Sequence, residues 1–173
     1  MKVLAFGASS SKHSINQKLA FYAAKQIEGA DISLIDINDY EMPIFSEDRE
    51  KELGSPQQAQ LFFKAIGEAD IVVISFAEHN GSYTAAYKNL FDWTSRINMK
   101  VFQNKPVILL ATSPGAGGAS SVLNTAQGSA PYFAADVKGA LSLPNFYDNF
   151  DIEEGVVTNQ AFNQQLLAIV QAL

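Results

Sequence analysis

The hydrophobic pattern of the chain alternates between short apolar segments and longer segments with helical spacing. The short segments lie at Val3–Phe6, Ile32–Ile37, Ile71–Ile74, Val107–Ala111 and Lys138–Leu143. Ile71–Ile74 contains no polar residue, and such a run of β-branched side chains is typical of a strand that is covered on both faces. We therefore predict five strands.

Helical spacing separates these strands. Apolar residues recur at steps of three or four in two series, Ile15, Leu19, Ala23, Ile27 and Ala86, Leu90, Trp93, Ile97. These series predict two helices, and Gly29 ends the first. We predict further helices over about 55–67, with Ser55 as the N-cap and Pro56 as the first helical residue, over about 120–134, and from about Asn159. Residues 38–54 are predicted to be a long connection, and Pro144–Gly155 a polar loop.

Strands that alternate with helices of about a dozen residues require right-handed crossovers, and hence a parallel sheet with helices on both faces. Five such strands fit an α/β, flavodoxin-like fold with strand order 2-1-3-4-5, which we expect to form one domain over residues 1–173. In that order the switch point, where successive strands begin to be added on the other side of the first strand, lies between the first and third strands. The loops after these strands, Gly7–Ser14 and Ser75–Tyr83, are expected to meet in one crevice that binds a ligand.

Composition narrows the function. The chain has 173 residues, of which 47% are hydrophobic, and a net charge of −6. A hydrophobic fraction of this size argues against disorder. The negative net charge disfavours nucleic acid or anionic membranes as partners. The absence of cysteine excludes disulfides and thiolate chemistry. The apolar run after Met1 is too short for a signal peptide, and no run approaches a membrane span, so we expect a cytoplasmic protein.

The first loop is rich in groups that bind an oxyanion. It carries Ser9, Ser10, Ser11 and Ser14, and Asn16 follows in the first helical turn. Hydroxyls, an amide and free N–H groups at a helix N-terminus suit a terminal phosphomonoester. The alternative is that Ser14 is only an N-cap and the other serines only solvate the loop. The position of the loop directly after the first strand favours the phosphate site.

A dinucleotide site is a second alternative, because Asp36 ends the second strand where an acid that binds ribose would stand. That site needs glycines which let the main chain approach a pyrophosphate. No glycine lies between Gly7 and Gly29. We therefore interpret Asp36 as a solvated acid at a strand end.

The other two loops are individually weak signals. Asn80-Gly81 is common turn chemistry, His79 alone is more often a surface residue than a catalyst, and Ser113-Pro114-Gly115 could be a plain strand exit. Together, however, the three loops follow strands one, three and four at one edge of the sheet, as a flat cofactor requires. No metal-ligand or Ser-His-Asp pattern is evident.

At these residues the chain resembles the NAD(P)H-dependent FMN reductases, which include quinone, chromate and azo reductases of flavodoxin-like fold. Glu78-His79-Asn80-Gly81-Ser82, Lys88-Asn89 and Asp92-Trp93 are similar to the family pattern P-E-Y-N-G-S…K-N…D-W, with Ala77 and His79 in place of its Pro and Tyr. Ser14-Ile15-Asn16 resembles the S-x-N end of its phosphate loop, and Ser113–Gly118 its S-x-G…G-G loop. The Arg that many relatives carry in the phosphate loop is absent, and Lys12 and His13 are the nearest cations.

The resemblance implies an enzyme that takes hydride from NADPH or NADH and passes electrons through FMN to a quinone-like or other small acceptor. The flavin would carry the chemistry, so no catalytic side chain is assigned. The FMN-binding residues that it implies are Ser9, Ser11, Ser14, Ile15, Asn16, Ala77, Glu78, His79, Asn80, Gly81, Ser113, Pro114, Gly115 and Gly117. It also implies a homodimer or homotetramer. The alternatives are a flavodoxin-type electron carrier, which binds FMN without using a pyridine nucleotide, and a scaffold that has lost its cofactor.

Overall fold

The computed structural model describes residues 1–173 and contains nine strands and seven α-helices. The strands are β1 (Lys2–Ala8), β2 (Asp31–Leu34), β3 (Ile71–Phe76), β4 (Glu78–His79), β5 (Ser82–Tyr83), β6 (Pro106–Thr112), β7 (Asp136–Leu143), β8 (Phe150–Asp151) and β9 (Val156–Val157). The helices are α1 (Ile15–Lys25), α2 (Glu47–Leu53), α3 (Gln57–Glu68), α4 (Ala85–Ile97), α5 (Ser120–Ser129), α6 (Phe146–Asn149) and α7 (Gln160–Gln171). Two 3₁₀ helices lie at Ile37–Tyr40 and Ala130–Phe133.

The central sheet has five parallel strands in the order β2-β1-β3-β6-β7. Counted within this sheet alone, the order is 2-1-3-4-5, so the predicted fold class is confirmed. Ala8 of β1 pairs with Phe76 of β3, which pairs with Ala111 of β6. The carboxyl ends of these three strands are therefore adjacent, and the loops that follow them start at the same edge.

Each face of the sheet is covered by its own hydrophobic core. Side chains of β3 alternate between the faces, with Val72 and Ile74 in one core and Ile71 and Val73 in the other. The first core includes side chains from α3, α4 and α5, and the second from α1 and α7. This double cover explains why β3 lacks polar alternation, as the sequence predicted.

The second strand and the connection after it differ from prediction. β2 ends at Leu34 rather than Ile37, because the Asp36 carboxylate accepts a hydrogen bond from the Asn38 N–H at 2.9 Å and caps a 3₁₀ helix. The expected connection contains α2, whose N-cap Ser46 accepts from the Arg49 N–H at 3.2 Å. No residue of α2 is buried, so it has no apolar stripe to reveal it.

Three other boundaries are corrected. Pro56 is the N-cap of α3, and Ser55 makes no cap, so the helix begins at Gln57. The helix predicted over 120–134 is α5 followed by the 3₁₀ helix that contains Pro131. Residues 144–155, predicted to be a polar loop, include α6 and the strand β8. None of the helices combines the length and the apolar character that crossing a bilayer demands.

Candidate functional site

The loops after β1, β3 and β6 border one cleft at the carboxyl edge of the sheet. Its volume is about 240 Å³. It is lined by Ser9, Ser11, His13, Ser14, Ile15, Asn16, Ala77, Glu78, His79, Thr112, Ser113, Pro114 and Tyr147. The structure therefore brings together most of the site residues that the sequence predicted. Asn80, Gly81, Gly115 and Gly117 belong to the same loops but do not line the cleft.

The serines of the first loop shape its backbone. Ser9 Oγ accepts from the Ser11 N–H at 3.2 Å, and Ser11 Oγ accepts from the His13 N–H at 3.3 Å. Ser14 Oγ accepts from the Gln17 N–H at 3.1 Å, so Ser14 is the N-cap of α1. In each case the oxygen is used as an acceptor, and the hydroxyl proton is left to donate. Capping and anion binding therefore use different atoms of the same side chain.

Main-chain donors complete this end of the cleft. The N–H groups of Lys12, Ile15 and Asn16 have no acceptor within the chain. They lie in the loop and the first turn of α1, where a helix presents free donors and a positive dipole. Gly7 allows β1 to lie close to the first turn of α1, because a Cβ at this position would stand 2.5 Å from the Gln17 backbone nitrogen. Hydroxyl and N–H donors that converge at a helix N-terminus fit a phosphate group.

Asn16 faces inward. Its Nδ2 donates to the Thr112 carbonyl at 3.1 Å, and its Oδ1 accepts from Ser75 Oγ at 2.7 Å and from the Thr112 N–H at 3.1 Å. The residue is buried, as are Ser75 and Thr112. The side chain of Asn16 thus joins α1 to β3 and β6, and its main-chain N–H is the group that can face an anion.

The predicted tight turn after β3 is a hairpin. Glu78 pairs with Tyr83 and His79 with Ser82, and the two turn residues, Asn80 and Gly81, have φ values of 52° and 76°. Positive φ at both positions is the type I′ geometry that Asn-Gly favours. Asn80 and Gly81 therefore form the hairpin tip, while Glu78 and His79 line the cleft.

The hairpin is attached to α5 at two points. Glu78 Oε2 accepts from the Val122 N–H at 2.8 Å, and the Tyr83 hydroxyl lies 3.2 Å from Ser129 Oγ. The N-cap of α5, Ala119, has no side-chain oxygen to accept from the first turn, so Glu78 takes that role from another loop. Burial raises the pKa of Tyr83, and the hydrogen bond from Ser129 and the charge of Lys88 act in the opposite direction.

The loop after β6 forms a further wall of the cleft. Ser113 and Pro114 line the cleft, and Ser113 Oγ donates to the Gly115 carbonyl at 3.2 Å. Asn145 N–H donates to the Gly115 carbonyl at 3.0 Å, and Phe146 N–H donates to the Ser113 carbonyl at 3.1 Å. The segment after β7 therefore fixes this loop in position.

Three lining residues were not among the site residues predicted from the sequence, namely His13, Thr112 and Tyr147. Thr112 is the last residue of β6, and its hydroxyl donates to the Leu143 carbonyl at 2.6 Å. Tyr147 lies on α6, after the fifth strand of the sheet, whereas we predicted ligand binding only in the loops after strands one, three and four. The sequence feature that could have indicated Tyr147 is its position in a polar segment just after a strand of the sheet. No three His, Asp or Glu side chains are grouped so that they could hold a metal ion.

Comparison with known proteins gives a consistent result. A family model described as NADPH-dependent FMN reductase matches residues 1–148. An NAD(P)H:quinone oxidoreductase of Solanum tuberosum is 29% identical over 189 aligned positions, which cover 100% of this chain and 91% of that protein. A 2-hydroxy-1,4-benzoquinone reductase of a Burkholderia species is 29% identical over 133 residues, or 76% of this chain and 71% of that protein. The solved structure of a flavoenzyme NAD(P)H:(acceptor) oxidoreductase from Paracoccus denitrificans superposes with a TM-score of 0.75 at 25% identity, covering 99% of this chain and 93% of that one.

Proposed function

The chain belongs to the family of NADPH-dependent FMN reductases, and from this premise we propose that its cleft holds FMN for the reduction of a quinone-like acceptor. The protein is an FMN-dependent NAD(P)H oxidoreductase that acts on a small-molecule acceptor. A quinone as the acceptor is supported by the relatives from Solanum tuberosum and Burkholderia, which are named as quinone reductases. The resemblance seen in the sequence motifs is thereby confirmed at the level of the family.

The observation that carries the binding proposal is the division of the cleft into two chemically different parts. At the N-terminus of α1, the hydroxyls of Ser9, Ser11 and Ser14 and the free N–H groups of Ile15 and Asn16 fit the FMN phosphate. The flavin ring would lie between the β4–β5 hairpin and the loop after β6. Its walls would come from Ala77, Glu78, His79, Ser113 and Pro114, which line the cleft, and the same two loops also carry Asn80, Gly81, Gly115 and Gly117.

The protein supplies orientation rather than a reacting group. The chemistry that bound FMN supplies is the acceptance of a hydride from the nicotinamide and the transfer of electrons to the acceptor. Glu78 and Asn16 act through other residues, because Glu78 Oε2 accepts from the Val122 N–H and Asn16 Oδ1 accepts from Ser75 Oγ and the Thr112 N–H. They keep the walls of the cleft at fixed positions.

We also propose that the protein is a homodimer or homotetramer, in which a second copy covers the groove between α4 and α5. This α4–α5 groove has a volume of about 210 Å³ and is lined by Phe76, Tyr83, Tyr87, Lys88, Phe91, Asp92, Ser95, Phe102, Leu109, Thr125, Ala126, Ser129, Ala130 and Phe133. At its mouth Lys88 pairs with Asp92 at 2.7 Å. A two-fold interface brings the same surface of both copies together, so Lys88 of one copy can pair with Asp92 of the other.

We propose a cytoplasmic location for the protein. The proposal is supported by the use of NAD(P)H as the donor. Fractionation of the source cells with antibody detection would test it, and recovery in an extracellular or membrane fraction would contradict it.

The function is tested by anaerobic titration of the FMN-loaded protein with NADPH and NADH in turn. We expect one or both nucleotides to bleach the visible flavin absorbance, and subsequent addition of p-benzoquinone to restore it. Bound FMN that neither nucleotide reduces would instead indicate an electron carrier. Failure of the purified chain to bind FMN at all would overturn the proposal and indicate a scaffold without cofactor.

The phosphate end of the site is tested by the substitution Ser14→Glu. A carboxylate facing the phosphate dianion repels it, so FMN affinity should fall roughly 10-fold or more. The matched control is Ser46→Glu, which changes another N-cap serine, that of the exposed helix α2. If both variants bind FMN as tightly as the unmodified protein, Ser14 is only a cap.

A further inference from the structure

Tyr147 is an exposed aromatic residue at the rim of the cleft. It lines the cleft together with His13 and Ser14, and 61% of its surface is accessible to solvent. Hydrogen bonds within the chain use the hydroxyls of Tyr22 and Tyr83, but not that of Tyr147. An aromatic side chain with an unused hydroxyl beside a concave site is available to a ligand.

The position of Tyr147 is fixed by its neighbours. Phe146 is fully buried, stacks on Phe150 at 4.6 Å, and meets the Tyr147 ring edge-on at 5.5 Å. Asn149 Nδ2 donates to the Pro144 carbonyl at 2.9 Å, and its Oδ1 accepts from Asn159 Nδ2 at 3.0 Å. These contacts hold the short helix α6 in place, so Tyr147 loses little backbone freedom when a ligand binds.

Helix α6 lies on the same side of the sheet as α1. Phe146 and Phe150 belong to the core that contains α1, whereas the hairpin is attached to α5, which packs in the other core. Tyr147 therefore approaches the cleft from the side of the α1 N-terminus, where the phosphate-binding groups are. The ring-binding hairpin approaches it from the opposite side.

From this arrangement we propose that the Tyr147 hydroxyl donates a hydrogen bond to the phosphate of bound FMN, closing the phosphate site from outside. This inference rests on the proposed function. His13 and His79 are the only lining residues of the cleft that can carry positive charge, and Glu78 is the only lining carboxylate. A phenol hydroxyl is a neutral donor that strengthens phosphate binding through a charge-assisted bond.

The test compares FMN with riboflavin, which lacks the phosphate, in the variant Tyr147→Phe. Affinities are measured at equilibrium by quenching of flavin fluorescence on the protein. A bond to a charged group is worth enough that FMN affinity should fall roughly 10-fold, while riboflavin affinity should stay unchanged. The control Tyr132→Phe makes the same chemical change at a residue that is 84% exposed and does not line the cleft, and it should leave both affinities unchanged.

Two outcomes would overturn the inference while the proposed function stands. Unchanged FMN affinity in Tyr147→Phe would show that the hydroxyl does not touch the phosphate. Equal losses for FMN and riboflavin would show that Tyr147 acts through the ring or through the fold. If the unmodified protein binds neither flavin, the proposed function itself fails. The three outcomes are distinguished by the same set of titrations.

Discussion

At the scale of single residues, Asn16 shows how one buried amide organises the carboxyl edge of the sheet. Its oxygen accepts from Ser75 and from the Thr112 N–H, and its NH₂ group donates to the Thr112 carbonyl. The substitution Asn16→Ala would leave these buried groups unpaired, and each unpaired group costs about 1–3 kcal/mol. We expect the free energy of unfolding, measured by urea titration of the flavin-free protein, to fall by at least about 2 kcal/mol.

Asn38→Ala is the matched control for Asn16→Ala, because Asn38 is exposed and its amide donates only to the nearby Asp36 at 2.8 Å. Its unfolding free energy should change by less than about 0.5 kcal/mol. If Asn16→Ala were as stable as this control, the hydrogen bonds of Asn16 would not contribute to the fold.

The same residues show where reading the sequence succeeds and where it stops. Ser14 could be predicted as an N-cap because its partner, Gln17, is only three residues away. The resemblance implied that Asn16 holds the phosphate, but the partners of its side chain are 59 and 96 residues away in the chain. Local spacing carries no information on such pairs. Tyr147 was missed for the same reason, since α6 reaches the cleft only through the fold.

At the scale of elements, the β4–β5 hairpin depends on α5 for its position. Two residue pairs are too few to hold an isolated hairpin in water, so its bonds to Val122 and Ser129 matter. Glu78→Ala removes the carboxylate that caps α5, and loss of a cap costs about 1 kcal/mol. We expect the variant to bind FMN more weakly and to show a broadened visible circular dichroism spectrum of the bound flavin, because the hairpin wall is no longer fixed.

Glu78→Gln tests this positioning role, since its amide oxygen can still accept from the Val122 N–H. It should largely restore both FMN affinity and the circular dichroism spectrum. Ser46→Ala removes the N-cap of α2, which is remote from the cleft, and should leave both unchanged. A Glu78→Gln variant as impaired as Glu78→Ala would show that the negative charge is needed instead of the hydrogen bond.

Elements were predictable where burial is periodic. The strands β3 and β6 are buried along nearly their whole length, and α4 buries Leu90 and Trp93 on one stripe, so hydrophobicity alone indicates them. The helix α2 has no buried residue, and β2 is almost wholly exposed, so their boundaries depend on capping and not on packing. The hairpin could be anticipated only as an Asn-Gly turn, because its strands are two residues long.

At the scale of the whole molecule, the topology followed from the alternation of strands and helices. Right-handed crossovers leave few arrangements for five parallel strands, and the order 2-1-3-4-5 places the loops after β1 and β3 side by side. The location of the cleft was therefore predictable before any side chain was placed. What the topology does not determine is which surfaces are covered by a second chain, because a surface groove does not affect the order of the strands.

We expect two copies of the protein to assemble through the α4–α5 groove. Its walls contain Phe91, Phe102 and Phe133, and an apolar surface of this kind is stabilised when a second copy removes it from water. Thr125 is exposed on α5 and lines the groove, so Thr125→Arg would place an unpaired charge in the interface. Sedimentation equilibrium should find the unmodified protein at a multiple of its 18.8 kDa chain mass and the variant shifted toward monomer. Gln164→Arg on the exposed side of α7 is the control and should sediment like the unmodified protein. A monomeric unmodified protein would refute the proposed oligomer, whereas an oligomer that Thr125→Arg leaves intact would place the interface on another surface.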